Sequence, residues 1–467
     1  MVPPRPGNAG GGKDPDFWRA FDGGEDEVIG GEPANTRTDP DPPEEAVSQG
    51  EGVRFYLLYD KIHRTDILSH AYALARSNGG APGVDGVTFE TIEADGLEGW
   101  LAGLRDDLVA KTYKPQPVRR VMIPKPGGGE RPLGIPTIRD RVVQTAAKLV
   151  LEPIFEADLD ASAYGYRPGR GGADAIKEVH RLLCRGYTDV VDADLSAYFD
   201  TIPHRELVQS VARRIVDRHV LWLIKLWLKA PVEERDDTGK RRLTGGRGST
   251  CGTPQGGVIS PLLANLYMNR FLKHWRATGR GAAYRARVIS YADDFVILSR
   301  GHAAEALAWT RTVMVRLGLT LNEAKTSVRD ARHGRFDFLG YTFGPHCFRK
   351  DGHWYMGASP SPKSVQRLKG KVGEILVPGN PAPWPLVRAQ LNGLLRGWSA
   401  YFGYGTRLMA YRAVDNHVYD RVRGFLVRRQ KVPSRGTRRF SREAVFGELG
   451  VLRLRRVHLG APPCAVG

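Results

Sequence analysis

Two adjacent aspartates interrupt a run of apolar residues at positions 287–299, which read Arg-Val-Ile-Ser-Tyr-Ala-Asp-Asp-Phe-Val-Ile-Leu-Ser. Two short apolar runs around a tight corner predict a β-hairpin with Asp293 and Asp294 at its tip. Neighbouring carboxylates repel each other, and a bound divalent cation would remove that cost. Aspartate is also a common residue of plain turns. This segment alone therefore leaves both interpretations open.

A second acidic segment precedes it. Residues 188–200 read Thr-Asp-Val-Val-Asp-Ala-Asp-Leu-Ser-Ala-Tyr-Phe-Asp, and strand alternation puts Val190, Asp192 and Asp194 on one face. Acids within an apolar strand are costly unless they are paired or bind metal. A third carboxylate on a neighbouring strand would complete an oxygen-ligand site for two Mg²⁺ ions roughly 3.5–4 Å apart, the arrangement that serves nucleotidyl transfer. Alternation does not choose between Asp192 and Asp194.

The charge distribution indicates a polyanionic partner. The chain of 467 residues carries a net charge of +18, yet residues 1–50 hold 4 basic and 11 acidic residues. Residues 363–467 hold 20 basic and 5 acidic residues. Basic fields of this size bind nucleic acid because each phosphate contact releases counterions. The alternative is a solvated basic surface with no such partner.

Composition and periodicity divide the chain. Residues 1–50 are rich in Gly, Pro, Asp and Glu, which predicts a disordered acidic extension. Apolar residues recur at helical spacing from 55 to 75, and further helices are predicted at about 93–111, 139–155, 173–184, 205–216 and 220–229. Short runs at 118–123 and 131–135 around a Gly-rich turn predict a second β-hairpin. The mixture predicts an α+β core, followed by a helical, basic second domain after residue 360.

Other sequence features exclude several classes of protein. The four cysteines lie far apart, so we expect neither a zinc knuckle nor a disulfide framework, and reduced intracellular thiols are the simplest interpretation. We see no signal peptide. The most apolar helical stretch, at 219–228, is short and contains Lys225, so no membrane span is predicted.

The two acidic segments resemble known polymerase motifs. Residues 291–294, Tyr-Ala-Asp-Asp, look like the metal-binding box of reverse transcriptases, and residues 194–200 look like their first carboxylate motif. The chain is similar to the group II intron-encoded reverse transcriptase/maturase family. The resemblance selects Asp194 over Asp192 as the ligand. It covers about residues 55–445 and includes further blocks at 82–86, 131–141, 252–265, 318–326, 338–341 and 393–404.

The resemblance implies a right-hand polymerase, with fingers and palm at 51–350 and a helical thumb/maturase domain at 351–467. It implies a bacterial, cytoplasmic RNA-directed DNA polymerase that uses two Mg²⁺ ions, an intron RNA template, a DNA primer or target, and dNTPs, with no membrane partner. The catalytic residues would be Asp194, Asp293 and Asp294, with Leu195 joining them in the metal site. Many relatives end in a zinc-supported endonuclease, which we do not expect here because Cys464 is the only cysteine in the last hundred residues.

The resemblance also implies roles around the carboxylates. Lys125 and Arg131 would hold the triphosphate, Gln255 would line the nucleotide site, and Phe199 would hinder a 2′-OH. Lys325 would protonate pyrophosphate, although a solvated lysine at a helix end explains it equally well. Residues Phe338, Leu339, Gly340 and Tyr341 would grip the primer, or form only a core strand. RNA contact is expected from the Arg-rich region at 421–442, through Arg421, Arg423, Arg428, Arg429 and Lys431. Trp398, Tyr401, Phe402 and Tyr404 are better explained by helix packing than by base stacking.

Three functions remain open at the level of sequence. The first is an intron-encoded reverse transcriptase that also assists splicing. The second is a splicing maturase that no longer polymerises, against which the three intact aspartates argue. The third is a domesticated reverse transcriptase of phage defence or spacer acquisition, which the flanking DNA would distinguish. The sequence does not indicate an oligomeric state.

Overall fold

The computed structural model describes residues 53–124, 129–235, 240–246, 248–347 and 352–456. The acidic extension predicted at 1–50 lies outside these ranges, as does Lys125 of the predicted triphosphate site. Both assignments stay predictions.

The described chain begins with four helices: α1 Tyr59–Ile62, α2 Thr65–Asn78, α3 Phe89–Asp95 and α4 Leu97–Val109. The sequence predicted two longer helices across this region. Phe55 instead pairs with Ile215 in an isolated parallel bridge, so the first helix begins later than predicted. Gly96, with φ 102°, separates α3 from α4, because a positive φ ends a right-handed helix.

A four-stranded sheet forms the region predicted as fingers. Its strands are β1 Val118–Pro124, β2 Glu130–Ile135, β4 Pro231–Arg235 and β5 Arg241–Gly245, in the order β2-β1-β4-β5. Strands β1 and β2 form the predicted hairpin, with Ile123 opposite Arg131. The β4–β5 hairpin was not predicted. Its sequence is mostly polar and β5 is largely exposed, so it lacks the alternation that marks a half-buried strand.

The second sheet has the order β6-β7-β3-β8 and is antiparallel throughout. Its strands are β3 Asp189–Asp194, β6 Ala286–Tyr291, β7 Asp294–Ser299 and β8 Ser327–Asp330. Each face meets its own hydrophobic cluster. Val190 packs with residues of the helix at 172–184, whereas Val191 and Ala193 join the larger core on the other face. The period-two alternation inferred from the sequence therefore describes β3.

Helices cover this sheet on both sides. They are α5 Ile138–Glu156, α6 Gly172–Cys184, α7 Tyr198–Thr201, α8 His204–Ala212, α9 Arg218–Leu228, α10 Ser260–Ala277, α11 Arg280–Ala283 and α12 Ala303–Arg316. Side-chain caps start two of them. Thr137 Oγ1 accepts a hydrogen bond from the Asp140 N–H at 3.1 Å before α5, and the Asp217 carboxylate accepts one from the His219 N–H at 2.9 Å before α9.

A third sheet leads into the helical C-terminal region. Strands β9 Phe336–Phe338, β10 Tyr341–Cys347 and β11 Trp354–Pro360 have the order β11-β10-β9. Three long helices follow: α13 Pro362–Ile375, α14 Trp384–Tyr401 and α15 Leu408–Arg429. They share a separate core that includes Val372, Leu391 and Val418. Trp398 of α14 packs against both this core and the cluster beside β9 and β10, which joins the two regions.

The α+β class predicted from the sequence is confirmed, and the predicted helical region follows the sheets. Among the helices in the described part of the chain, none combines the length and the apolar character that crossing a bilayer requires.

Candidate active site

Asp194 and Asp294 lie opposite each other across the pairing of β3 and β7. Asp194 is the last residue of β3, and Asp294 is the first residue of β7. Opposite residues of an antiparallel pair have Cβ atoms about 5 Å apart. Two carboxylates that are 100 positions apart in the chain are thereby brought to one end of the sheet, with Asp293 in the adjoining turn.

The turn between β6 and β7 contains two residues. Tyr291 pairs with Asp294, which leaves Ala292 and Asp293 at the corner. Ala292 has φ 58°, as a tight two-residue hairpin requires, although alanine adopts this conformation less readily than glycine. Gly165 lies directly against this corner, since a Cβ on Gly165 would approach the Ala292 nitrogen to 2.5 Å. The close packing of a neighbouring segment holds the acidic corner in place.

The carboxylates concentrate negative charge. Burial, and after it the charges of Asp293, Asp194 and Asp192, raise the pKa of Asp294 to about 7. The Asp294 side chain reaches solvent at the mouth of the site, but surrounding protein removes much of its hydration. Burial, and secondarily the charge of Asp194, also raises the pKa of Asp293. Deprotonating these groups together is unfavourable unless a cation compensates.

The donor set fits a hard divalent cation, because all three side chains offer carboxylate oxygens. In the described residues, no three acidic, histidine or cysteine side chains are gathered closely enough to enclose a metal ion as they stand. One carboxylate is engaged elsewhere: Asp194 Oδ2 lies 2.7 Å from Lys325 Nζ. The fit of this site to a divalent ion rests on the donor chemistry and the charge of the three aspartates.

Two residues after α12 contact Asp194. Lys325 Nζ donates to its carboxylate, and this hydrogen bond, more than the nearby negative charges, raises the pKa of Lys325. Asn322 donates its backbone N–H to the Asp194 carbonyl at 2.8 Å and its side-chain amide to Oδ2 at 3.4 Å. Lys325 thus contacts a predicted metal ligand, and its role as a proton donor stays a prediction. Asn322 was missed, although it belongs to the block at 318–326 that supported the resemblance.

The loop at 252–257 contacts both strand β2 and the segment that follows Asp194. The Gln255 carbonyl accepts a hydrogen bond from the Gly134 N–H of β2 at 2.5 Å, and its side-chain Nε2 donates to Asp200 Oδ2 at 3.2 Å. Gly256 has φ 108° and packs directly on the Gly134 carbonyl, so only glycine fits there. Asp200 was not assigned a role from sequence, although it is the last residue of the first carboxylate motif.

The other predicted nucleotide-site residues occupy separate elements. Phe199 is half-buried in α7, and its carbonyl accepts a hydrogen bond from the Thr253 N–H at 2.6 Å, which ties the Asp194 motif to the Gln255 loop. Arg131 is exposed on β2. Leu195 is 4% exposed, so any contribution to a metal site would come from its backbone. Gln255, Phe199 and Arg131 stay predictions as ligand contacts.

The predicted primer grip is a tight turn between β9 and β10. Phe338 pairs with Tyr341, and both side chains are buried, at 4% and 0% exposure. Burial in the core prevents these two rings from touching a primer directly, which narrows the prediction to Leu339 and Gly340 at the half-buried tip. The tip is held by α14, because Tyr401 Oη donates to the Leu339 carbonyl and Tyr341 Oη donates to the Tyr401 carbonyl, both at 2.9 Å.

The five predicted RNA-binding residues lie in and just after α15, but they are not equally available. Arg421 donates to the Gly373 carbonyl, Arg423 pairs with Asp420, and Arg429 donates to the Ala382 carbonyl. Arg428 and Lys431 are exposed. Several of these arginines thus stabilise the helical domain itself, and their contact with RNA stays a prediction.

Comparison with known families agrees with this geometry. The family model described as "Reverse transcriptase (RNA-dependent DNA polymerase)" matches residues 123–343. A second one, described as "Group II intron, maturase-specific domain", matches residues 365–443. The first match contains all three aspartates, and the second contains α14 and α15.

Individual relatives are similar over parts of their length. Protein YkfC of Escherichia coli (strain K12) is 37% identical over 326 residues, which cover 62% of this chain and 83% of that protein. Group II intron-encoded protein LtrA of Lactococcus lactis subsp. cremoris is 37% identical over 221 residues, covering 47% of this chain and 35% of LtrA. The putative COX1/OXI3 intron 1 protein of Saccharomyces cerevisiae is 28% identical over 331 residues, covering 60% of this chain and 38% of that protein. The chain thus spans well under half of the two intron proteins.

Proposed function

The chain belongs to the family of group II intron-encoded reverse transcriptases and maturases, and on that premise we propose that it copies RNA into DNA. The reaction is the attack of a primer 3′-OH on the α-phosphate of a dNTP, which forms a phosphodiester bond and releases pyrophosphate. The pairing of Asp194 with Asp294, beside Asp293, is the observation that carries this proposal. This pairing brings the carboxylate oxygens together at the solvent-accessible end of a sheet that is otherwise largely buried.

Asp194, Asp293 and Asp294 would hold two Mg²⁺ ions, with the Leu195 backbone as a further ligand. When bound, such ions lower the pKa of the attacking hydroxyl and neutralise charge on the leaving oxygen. Mg²⁺ prefers oxygen donors in near-octahedral geometry, which suits carboxylates on a rigid sheet.

The chain's own residues would position the nucleotide. Gln255 would line the site, with its side chain oriented by Asp200 and its backbone held by Gly134. Phe199 would lie beneath the sugar and disfavour a 2′-OH. Arg131, together with Lys125, would neutralise the triphosphate, because arginine binds phosphate oxygens in a bidentate manner. Lys325, already beside Asp194, would donate a proton to departing pyrophosphate.

The remaining regions would bind the strands. The tip at Leu339 and Gly340 would contact the primer, and the basic helical domain at 351–467 would bind intron RNA and assist splicing. The charge supports the second role: residues 363–467 hold 20 basic and 5 acidic residues. Exposed Arg428 and Lys431 are the best placed of the five predicted RNA contacts. In this proposal, one protein binds the intron RNA, the DNA primer and the dNTP.

Primer extension tests the proposal. Purified protein, an RNA template with an annealed DNA primer, Mg²⁺ and dNTPs should give extended DNA, and chelation of the metal should stop extension. Asp293→Asn should abolish the product while leaving the unfolding midpoint within a few degrees of wild type. Asp95→Asn, a change of the same kind at the exposed end of α3, serves as the matched control.

The outcomes separate the competing functions. Incorporation of rNTPs in preference to dNTPs would indicate an RNA polymerase. Splicing of the cognate intron without any nucleotide incorporation would indicate a maturase that does not polymerise. Extension with no effect on splicing, from a gene flanked by defence genes, would indicate a domesticated reverse transcriptase.

A further inference from the structure

The segment at 162–166 runs along the free edge of β6, beside the acidic corner. Ala163 forms a parallel bridge with Ser290. The Tyr164 N–H donates to the Ser290 carbonyl at 2.8 Å, and the Ser290 N–H donates to the Ser162 carbonyl at 2.9 Å. Gly165 then packs on the backbone of Ala292. The next residue, Tyr166, therefore lies beside the Ala292–Asp293 turn.

Tyr166 has a strained backbone. Its φ is 55°, in the left-handed region that bulky residues rarely adopt. Contacts on both sides hold this conformation. The Gly165 carbonyl accepts a hydrogen bond from Asn265 Nδ2 at 2.6 Å. The buried Arg167 guanidinium pairs with Glu156 at 2.8 Å and donates to the carbonyls of Asp160 and Ala163. The surrounding structure therefore imposes the strain at Tyr166.

No hydrogen bond or ring contact of the Tyr166 side chain within the described residues offsets the cost of this backbone conformation. The side chain is 46% exposed, and among the hydrogen bonds and ring pairs of the described residues none involves its ring or hydroxyl. Its surroundings are those of the active site. Burial raises the pKa of Tyr166, and the charged or ionisable groups that act on it are Asp293, Tyr291, Arg131 and Asp294, in that order. Strain that is imposed by neighbours and not offset locally is typical of functional sites.

We propose that Tyr166 contacts a nucleotide at the point of strand growth, with its ring packed against the base or sugar. This inference rests on the proposed polymerase function. An aromatic ring suits the role because every base presents a π-face, so the contact is independent of sequence. The rigid backbone lowers the entropy lost on binding, since only the side-chain torsions remain to be fixed. Tyr166 is close enough to both Asp293 and Arg131 for their charges to act on it. In the proposed function Asp293 would lie beside the primer end and Arg131 beside the triphosphate, so the ligand would be a nucleotide of the newly forming base pair.

Three substitutions separate this role from a structural one. Tyr166→Gly removes the ring and relieves the positive φ, so its unfolding midpoint should equal or exceed that of wild type. Its kcat/KM for dNTP incorporation should nevertheless fall on the order of tenfold, the loss expected for one stacking contact. Tyr166→Phe keeps the ring and should retain activity within about threefold. Lys111→Gly, at an exposed position with φ 60°, should relieve strain without changing kcat/KM.

The kinetic pattern identifies the nucleotide. A higher KM for dNTP at unchanged affinity for the template–primer places the ring on the incoming nucleotide, whereas weaker template–primer binding, measured by fluorescence anisotropy, places it on the growing duplex. Wild-type kinetics and binding in Tyr166→Gly would overturn the inference, as would equal losses in Tyr166→Phe and Tyr166→Gly.

This failure is distinguishable from failure of the proposed function. If wild type incorporates no nucleotide, the polymerase proposal fails. If wild type polymerises and the Asp293→Asn variant does not, while Tyr166→Gly is fully active, only the inference about Tyr166 fails.

Discussion

Lys325 Nζ lies 2.7 Å from Asp194 Oδ2, next to the end of β3. This contact puts an ammonium group beside one of the three proposed metal ligands, although the lysine side chain is 66% exposed. The sequence left two interpretations of Lys325 equal, a proton donor and a solvated lysine at a helix end, and kinetics of variants can distinguish them.

We therefore predict that Lys325→Met lowers the rate of nucleotide addition by about 100-fold, the usual contribution of a general acid. Lys325→Arg should recover little of it, because arginine stays protonated at any working pH. Single-turnover rates at saturating dNTP measure this step. Lys177→Met, an exposed lysine on α6, is the control and should match wild type. Full activity in Lys325→Met would remove the lysine from the mechanism.

The loop that carries Gln255 depends on a glycine. Gly256→Ala should lower kcat/KM for dNTP by at least tenfold, because the added Cβ would collide with the Gly134 carbonyl at a φ of 108° and displace Gln255. Steady-state incorporation at varied dNTP measures the effect. The control is Gly99→Ala in α4, where a Cβ meets nothing within 4 Å. It should stabilise the protein by about 0.5–1 kcal/mol and leave activity unchanged. Comparable kinetics in the two variants would contradict the assignment of the loop.

The hydroxyl of Tyr401 connects the helical domain to the turn at Leu339. Tyr401→Phe removes one hydrogen bond, worth about 1 kcal/mol. We expect weaker template–primer binding by a few-fold and shorter extension products, because the tip would be less well fixed. Anisotropy and product length under single-hit conditions check this. Tyr56→Phe, on an exposed side chain, should change neither. Unaltered product length in Tyr401→Phe would show that this hydrogen bond does not support the grip.

Asp217 joins the N-terminal helices to α9. Burial raises the pKa of its carboxyl, but hydrogen bonds from the backbone N–H groups of Tyr59, Leu58, His219 and Val220 outweigh burial and hold the pKa below its usual value. Because the pKa of Asp217 is lower in the folded than in the unfolded protein, its ionised carboxylate stabilises the folded protein above about pH 4. This stabilisation is lost as the pH falls through the pKa of the folded state.

Asp217→Asn should therefore lower the free energy of unfolding by about 1–2 kcal/mol at pH 7, and the difference from wild type should narrow below about pH 4. Urea unfolding at several pH values measures this difference. Asp95→Asn, at the exposed end of α3, should show little effect at any pH. A constant difference across the pH range would contradict the role of the ionised carboxylate.

Local patterns were sufficient to predict much of the site. A two-residue corner between apolar runs, and acids at alternate positions of a strand, specify backbone direction and side-chain face. These rules predicted that Asp293 and Asp294 lie at a hairpin tip and that Asp194 shares the face of Val190. The register that puts Asp194 opposite Asp294 is a tertiary relationship, and local pattern does not specify it.

Other features depend on contacts between distant segments. The hydrogen bond from Gln255 to Asp200 joins residues 55 positions apart, and Gly165 meets Ala292 across 127 positions. The β4–β5 hairpin is polar, and its position in the sheet is set by the pairing of β4 with the distant strand β1. Phe338 and Tyr341 were expected at a ligand, yet they are buried, because a motif shows which residues recur together and not which of them face solvent. Arg423 and Arg429 likewise have partners within the helical domain.

Counting bound metal ions tests the central claim most directly. Mn²⁺ can replace Mg²⁺ as a paramagnetic probe, and its binding to protein with template–primer and an unreactive dNTP analogue can be followed by electron paramagnetic resonance. We predict two tightly bound ions in wild type and in Asp192→Asn, and the loss of at least one ion in Asp194→Asn, Asp293→Asn and Asp294→Asn. Wild-type stoichiometry and affinity in all three of the latter variants would contradict the assignment of these aspartates as the metal ligands.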